Sequence, residues 1–221
     1  ISTSAKETTG NDYPLVFVHG LGGWGPGEML GVNYWGGFFD LDQYMDGKGY
    51  NMIPATVSPF SSNWDRAAEL YAFLKGGTVD YGAAHAKEHG HSRYGKTYEK
   101  GAYPNLDETN RIHLIGHSMG GNTIRTITDL LMDGSASEMA YHQEHPEEEA
   151  ISPLFTGGKD WIHSVTTLGT QAFSGCENLE FVTFGNSLKT IGESGFYACY
   201  KLKELNLPNS LLVIDSYAFK Y

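Results

Sequence analysis

The 221-residue sequence predicts an α/β fold: a parallel sheet with flanking helices, followed by a short solenoid segment. Three observations lead there. An apolar run, Leu15 to Val18, empties into the loop His19-Gly20-Leu21-Gly22-Gly23. A second run, Ile112 to Ile115, turns through Gly116-His117-Ser118-Met119-Gly120 into a helical pattern. Beyond Gln171 the chain adopts a pattern that recurs every 23 residues.

Taken in order, residues 1–10 read as a flexible polar leader. Leu15–Val18 is short and apolar enough for a buried parallel strand. The glycine loop after it lets backbone N–H groups face a ligand. "YNMIPATVSP", residues 50–59, predicts a second strand, and Ile112, Leu114 and Ile115 a third. The helix that follows carries Ile124, Ile127, Leu130 and Leu131 on one face, and Asp133-Gly134 closes it. Residues 162–168 predict a further strand.

Composition narrows the function classes. Hydrophobic residues at 40% and aromatics at 13% suffice for a core, which argues against disorder. Lys+Arg 15 against Asp+Glu 26 gives a net charge of -11, which argues against a nucleic-acid partner. No apolar run approaches the ~20 residues of a transmembrane helix, and no signal-type segment opens the chain, which reads as a mature form or a fragment. Cys176 and Cys199 fall at equivalent repeat positions, where stacked small apolar side chains are expected rather than a bridge.

Gly116-His117-Ser118-Met119-Gly120 is a G-x-S-x-G nucleophile elbow. Ser118 must sit in a strained turn, so the residues two positions away must be Gly for the backbones to pass. The helix starting there sets its free N–H groups under a developing oxyanion. An ordinary glycine-rich turn would leave the upstream His-Gly-Leu-Gly-Gly loop unexplained.

Residues 11–170 resemble the secreted bacterial lipases of the staphylococcal and thermophilic-bacillus group, α/β-hydrolases acting on acylglycerols. The resemblance rests on "PLVFVHGLGGWG", "NYWGG", "SSNWDRAAELY", "GGTVDYGAAHAKEHGHSRYGKTY", "HLIGHSMGGNTIR", "SPLFTGG" and "SVTTLGT", and covers about three quarters of the chain. It implies a truncated α/β-hydrolase in which Ser118 is the nucleophile and the backbone N–H groups of Leu21 and Met119 hold the oxyanion. It also implies an acylglycerol or other acyl-ester substrate and a secreted or cell-surface location.

His85, His89 and His91 fall within seven residues, a cluster suited to a divalent metal if a carboxylate converges on it, and otherwise readable as surface histidines. The resemblance implies a structural zinc held by Asp65, His85 and His91. Its fourth ligand is an Asp from the half that has no counterpart here. His89 is expected to be a bystander, and the three-ligand remnant to bind zinc more weakly, with water completing the shell.

Residues 171–221 form two repeats and part of a third. Phe173, Phe196 and Phe219 are in register, as are Leu179 and Leu202, Val182 and Leu205, and Ile191 and Ile214. Each turn contributes one short strand, "LEFVTF" and "LKELNL". The segment resembles the leucine-rich repeats of BspA-like surface proteins, which implies a protein or surface ligand. So few repeats are not expected to be stable alone. Docking onto the edge of strand 162–168 would support them.

A serine nucleophile needs an imidazole base and an acid to orient it, in chain order Ser, Asp or Glu, His. All nine histidines precede Gln171. His142 and His145 read as solvated residues of an acidic loop and His163 as structural. The resemblance assigns His19 and His117 to packing and loop geometry. The catalytic acid and base therefore stay unassigned. The expected protein is a serine ester hydrolase of lipase type, working through an acyl-enzyme on Ser118 and impaired in turnover. Two alternatives stand beside it: a catalytically dead binding or surface-display protein, and an artificial or degenerate fusion.

Overall fold

A computed structural model describes residues 13–168, 180–183, 190–192, 194–209 and 211–220. The expected leader, Phe173 and Cys176 lie outside the described residues. The elements run β1 (Leu15–Val18), α1 (Leu41–Gly47), β2 (Met52–Pro54), α2 (Asn63–Lys75), β3 (Gly77–Asp80), α3 (Ala83–His89) and β4 (Tyr94–Tyr98). They continue with β5 (Ile112–His117), α4 (Met119–Asp133), α5 (Ala136–Glu144), a 3-10 turn (Pro153–Phe155) and β6 (Ile162–Leu168). The repeat segment holds β7 (Phe181–Thr183), β8 (Thr190–Ile191), β9 (Glu204–Asn206) and β10 (Val213–Ile214).

The main sheet has the order β2-β1-β5-β6, and all its strands are parallel. Val16, Val18, Ile112 and Leu114 are buried at alternate positions of β1 and β5, the period of two that a strand imposes. Ile124, Ile127, Leu130 and Leu131 form the buried stripe of α4, as the helical spacing predicts. Leu70 and Leu74 on α2 join the same core. The second strand is shorter than its sequence suggests. It ends at Pro54, although the Ala55 amide still donates to the Phe17 carbonyl at 2.8 Å, so the N–H that proline lacks would have faced the open edge.

One correction arises in the second half. Tyr141 to Glu144 belong to helix α5, which Ser135 caps by accepting the Glu138 amide at 3.3 Å. His142 and His145 are half-buried there rather than solvated in a loop. The His145 ring stacks on Tyr141 at 4.0 Å. Strand β6 pairs with β5 along its length, yet its middle residues, His163 to Thr166, are exposed.

In the repeat segment β7 pairs with β9 and β8 with β10, both parallel, each residue opposite the one 23 positions on, as in Phe181 with Glu204 and Thr190 with Val213. Phe196 and Phe219 stack at 5.2 Å with planes 7° apart, and Cys199 is buried beside them. Among the described residues these strands pair with one another and not with β6, so the expected edge docking is not seen.

Candidate active site and metal cluster

Ser118 stands where β5 ends and α4 begins, with φ 54° and ψ -124°. Positive φ costs a non-glycine residue energy, and such strain persists only where surrounding structure enforces it. The enforcement is steric. A Cβ on Gly120 would lie 2.2 Å from the Val18 carbonyl oxygen, and one on Gly116 2.4 Å from that of Gly120. Only bare backbone lets β1, β5 and α4 pass so closely.

The loop after β1 lies against this turn, since a Cβ on Gly20 would approach Ser118 Cβ to 3.0 Å. Leu21, at the loop's tip, is exposed, and its amide has no acceptor among the described residues. Met119 opens α4, where an amide lacks an intrahelical acceptor. The loop is braced from below. The Gly22 amide donates to the Pro59 carbonyl at 3.0 Å, and the Gly20 amide to Tyr34 Oη at 3.0 Å. Tyr34 Oη in turn lies 2.6 Å from His117 Nδ1.

Arg66 ties these pieces together. It is fully buried, and its Nε donates to Thr123 Oγ1 on α4 at 2.9 Å. Its terminal nitrogens donate to the carbonyls of Ser58, at 2.5 Å, and of His19. Glu69 grips the other side of Ser58 by accepting its amide at 2.5 Å. Burial lowers the Arg66 pKa to about 10, which leaves it charged at neutral pH. Tyr34 and Arg66 were not identified from sequence. A signal existed for Arg66, which shares a helix face with Leu70 and Leu74 and so puts a charge into an apolar stripe.

No histidine hydrogen-bonds the Ser118 hydroxyl among the described residues. His19 is buried with Nδ1 3.0 Å from the Gly20 carbonyl and Nε2 3.1 Å from that of Val57. His163 packs on Tyr13 at 4.9 Å and on His113 at 4.8 Å. Burial lowers the pKa of His19, His85 and His113, with the neighbouring His163 adding to the shift at His113. A depressed histidine pKa means that the unfolded chain takes up the proton first. Stability is then full above the ordinary value of 6.5 and falls as pH drops below it. Thermal midpoints measured from about pH 8 to about pH 5 are expected to decline only below about pH 6.5. A midpoint constant to the acid end would contradict this.

The metal candidates do converge. Ser62 caps α2 by accepting the Asp65 amide at 3.0 Å, which fixes Asp65 in the first turn. Gly90 ends α3 in the left-handed conformation, φ 70° and ψ 36°, and turns His91 back toward it. His85 Nε2 lies 3.2 Å and His91 Nε2 3.8 Å from Asp65 Oδ1, and one ligand atom from each residue falls within 4.8 Å of the others. The His85 ring stacks on Trp64 at 4.8 Å. Two imidazoles and a carboxylate are a donor set that suits zinc. His89 lines the same cleft and lies outside this three-residue group.

A strained serine between a parallel strand and a helix, under a braced glycine loop, defines an α/β-hydrolase-type domain. The chain belongs to the lipase-like, C-terminal domain family, whose pattern matches residues 11–189. A BspA-type leucine-rich repeat pattern matches residues 160–221. Lipase 2 of Staphylococcus aureus is 54% identical over 164 residues, which cover 72% of this chain and 23% of that protein. The lipase of Staphylococcus epidermidis is 48% identical over 173 residues, 76% of this chain and 25% of its own length. The chain thus spans about a quarter of these relatives. Among solved structures, EstA from Clostridium botulinum superposes with a TM-score of 0.69 at 55% identity, covering 75% of this chain and 38% of that one. Staphylococcus hyicus lipase does so with a TM-score of 0.69 at 44% identity, covering 80% and 46%.

Proposed function

We propose that this chain carries the nucleophile half of a lipase-type serine ester hydrolase, with Ser118 attacking an acyl ester and the Leu21 and Met119 amides receiving the oxyanion. The observation that carries the reading is the strained Ser118 at the elbow with the braced His19–Gly23 loop against it. Attack on the ester carbonyl breaks the bond to the alcohol, which leaves with the serine proton as the acyl group passes to Ser118 Oγ; water then cleaves that acyl ester, releasing the carboxylic acid and restoring the hydroxyl. The substrate is an acylglycerol or related ester, a reading supported by relatives named lipases. Turnover by these residues is low, because none of the described histidines reaches the Ser118 hydroxyl to take its proton. The same relationship supports a location outside the cell. Among the described residues no helix is long and apolar enough to cross a membrane. The test is hydrolysis of a short-chain nitrophenyl ester with imidazole supplied in solution. A rate that needs both imidazole and Ser118 supports the reading. Equal rates for the chain and Ser118→Ala under those conditions favour a dead scaffold instead.

Asp65, His85 and His91 would hold a structural zinc, joining the start of α2 to the end of α3. Bound there, the metal supplies cross-linking rather than chemistry at the ester. At about a hundredfold excess over its Kd, zinc is expected to add about 2.7 kcal/mol of stability. Asp65→Ala should remove that gain in a thermal-shift titration. An undiminished zinc response in Asp65→Ala would reject this ligand set.

A further inference from the structure

Helix α3 carries His85 in its first turn, and it is only seven residues long. A helix of that length is not stable by itself, so its start must be held from elsewhere. Its own cap residue is Gly82, at φ 92°, which has no side chain to accept an exposed amide. The acceptor comes from another helix. Glu138 of α5 is 3% exposed; its Oε2 accepts the Ala84 amide at 3.0 Å, and its Oε1 the His85 amide at 2.8 Å. The glycine makes room for it, since a Cβ on Gly82 would lie 2.4 Å from Glu138 Oε1. Glu138 is itself fixed, because Ser135 accepts its amide at 3.3 Å. The turn before α3 is held as well. The Gly82 amide donates to Asp80 Oδ1 at 2.9 Å, and Arg93 donates to both oxygens of Asp80 at 3.0 Å.

These contacts lead to the metal cluster. The His85 amide that Glu138 holds belongs to the residue whose Nε2 lies 3.2 Å from Asp65 Oδ1. Trp64 sets the plane of the same ring by stacking on it with the planes 14° apart, and Trp64 Nε1 donates to the Tyr81 carbonyl at 2.7 Å. The backbone of His85 is thus held from α5 and its imidazole from α2, which leaves the side chain little freedom to lose on ligation. Groups that fix metal ligands from behind typically account for about 10–100-fold of metal affinity. We infer that Glu138 is a positioning residue for the metal cluster, its carboxylate anchoring the first turn of α3 so that His85 is held facing Asp65. The inference rests on the reading of Asp65, His85 and His91 as the ligands.

The test is the zinc affinity of the folded chain, measured by competition with a chromophoric chelator well below the thermal midpoint. Glu138→Ala removes both acceptors and should raise the Kd about 10–100-fold. Glu138→Gln keeps the shape but has one carbonyl oxygen for two amides, and should fall between Glu138→Ala and the parent. In both variants amide exchange at Ala84 and His85 should quicken. Ile127→Val, a core change on α4, lowers stability by a different route and should leave the Kd as it was. Cobalt(II) takes the same donors and absorbs visible light according to their arrangement. At saturation it should give the parent spectrum in each variant, since the ligands are intact. Parent-like Kd values in the Glu138 variants, or an equal loss in Ile127→Val, would overturn the inference and leave the ligand set standing. A changed cobalt spectrum at saturation would also overturn it, because Glu138 would then choose the ligands rather than position them. A parent that binds no zinc, or binds it no more tightly than Asp65→Ala, would reject the ligand set and the inference with it.

Discussion

Ser118→Ala is expected to reduce imidazole-dependent hydrolysis of a short-chain nitrophenyl ester to the rate of imidazole alone, while leaving the residual rate without imidazole nearly unchanged. The two halves of that expectation have one cause. Nucleophile and base act as a unit, so once one is missing, removing the other costs little more. Loss of the histidine alone typically lowers turnover about a millionfold, leaving roughly 10³–10⁴ over water from the oxyanion site and binding. On the proposed reading, the Leu21 and Met119 amides provide that remainder. The described imidazoles are engaged elsewhere: His19 between two carbonyls, His117 on Tyr34, His163 against Tyr13 and His113. Imidazole in solution can serve as the base that none of the described histidines supplies, and its effect should rise with pH as the neutral form gains. Free imidazole also cleaves such esters unaided, so the Ser118→Ala protein under identical conditions is the reference. A large Ser118-dependent rate without imidazole would show that a base is present after all.

Arg66→Met is expected to cost about 3–5 kcal/mol of stability, the scale for breaking a buried charged network by removing one partner. The side chain fits, but the carbonyls of Ser58 and His19 and the hydroxyl of Thr123 lose their donor. Glu69 is left as a buried carboxylate without the nearby cation. Against a typical total of about 5–15 kcal/mol, that loss is large. Arg66→Lys keeps a charge but not the planar fork, and should recover only part of it. Urea unfolding with an unchanged slope would measure both variants. A Met variant within about 0.5 kcal/mol of the parent would show that the network is not stabilising.

Features of this protein that depend on neighbours in sequence were legible before any coordinates. The elbow is five consecutive residues whose glycines are demanded by its own geometry. The metal cluster was signalled by His85, His89 and His91 within seven residues, and a short helix and a glycine turn bring His85 and His91 together. Asp65 required the family resemblance, because nothing local links it to residues twenty positions on. The 23-residue period became parallel pairing at that same offset.

What the sequence alone did not disclose depends on parts of the chain distant from one another. Tyr34 bridges Gly20 and His117, and Arg66 joins three segments; neither role has a local signature, because each partner is supplied by another element. The helical setting of His142, and the capping position of His145, were obscured by an acidic run that resembles a loop. Strand β6 was legible as a strand, but its exposure was not. A strand's pairing to one neighbour is written in its own residues, whereas burial of its faces and its other edge depends on what the rest of the chain packs against it. Sequence thus determined which groups this protein carries, and tertiary packing decided which of them meet, because a hydrogen bond or a buried face needs both partners in place at once.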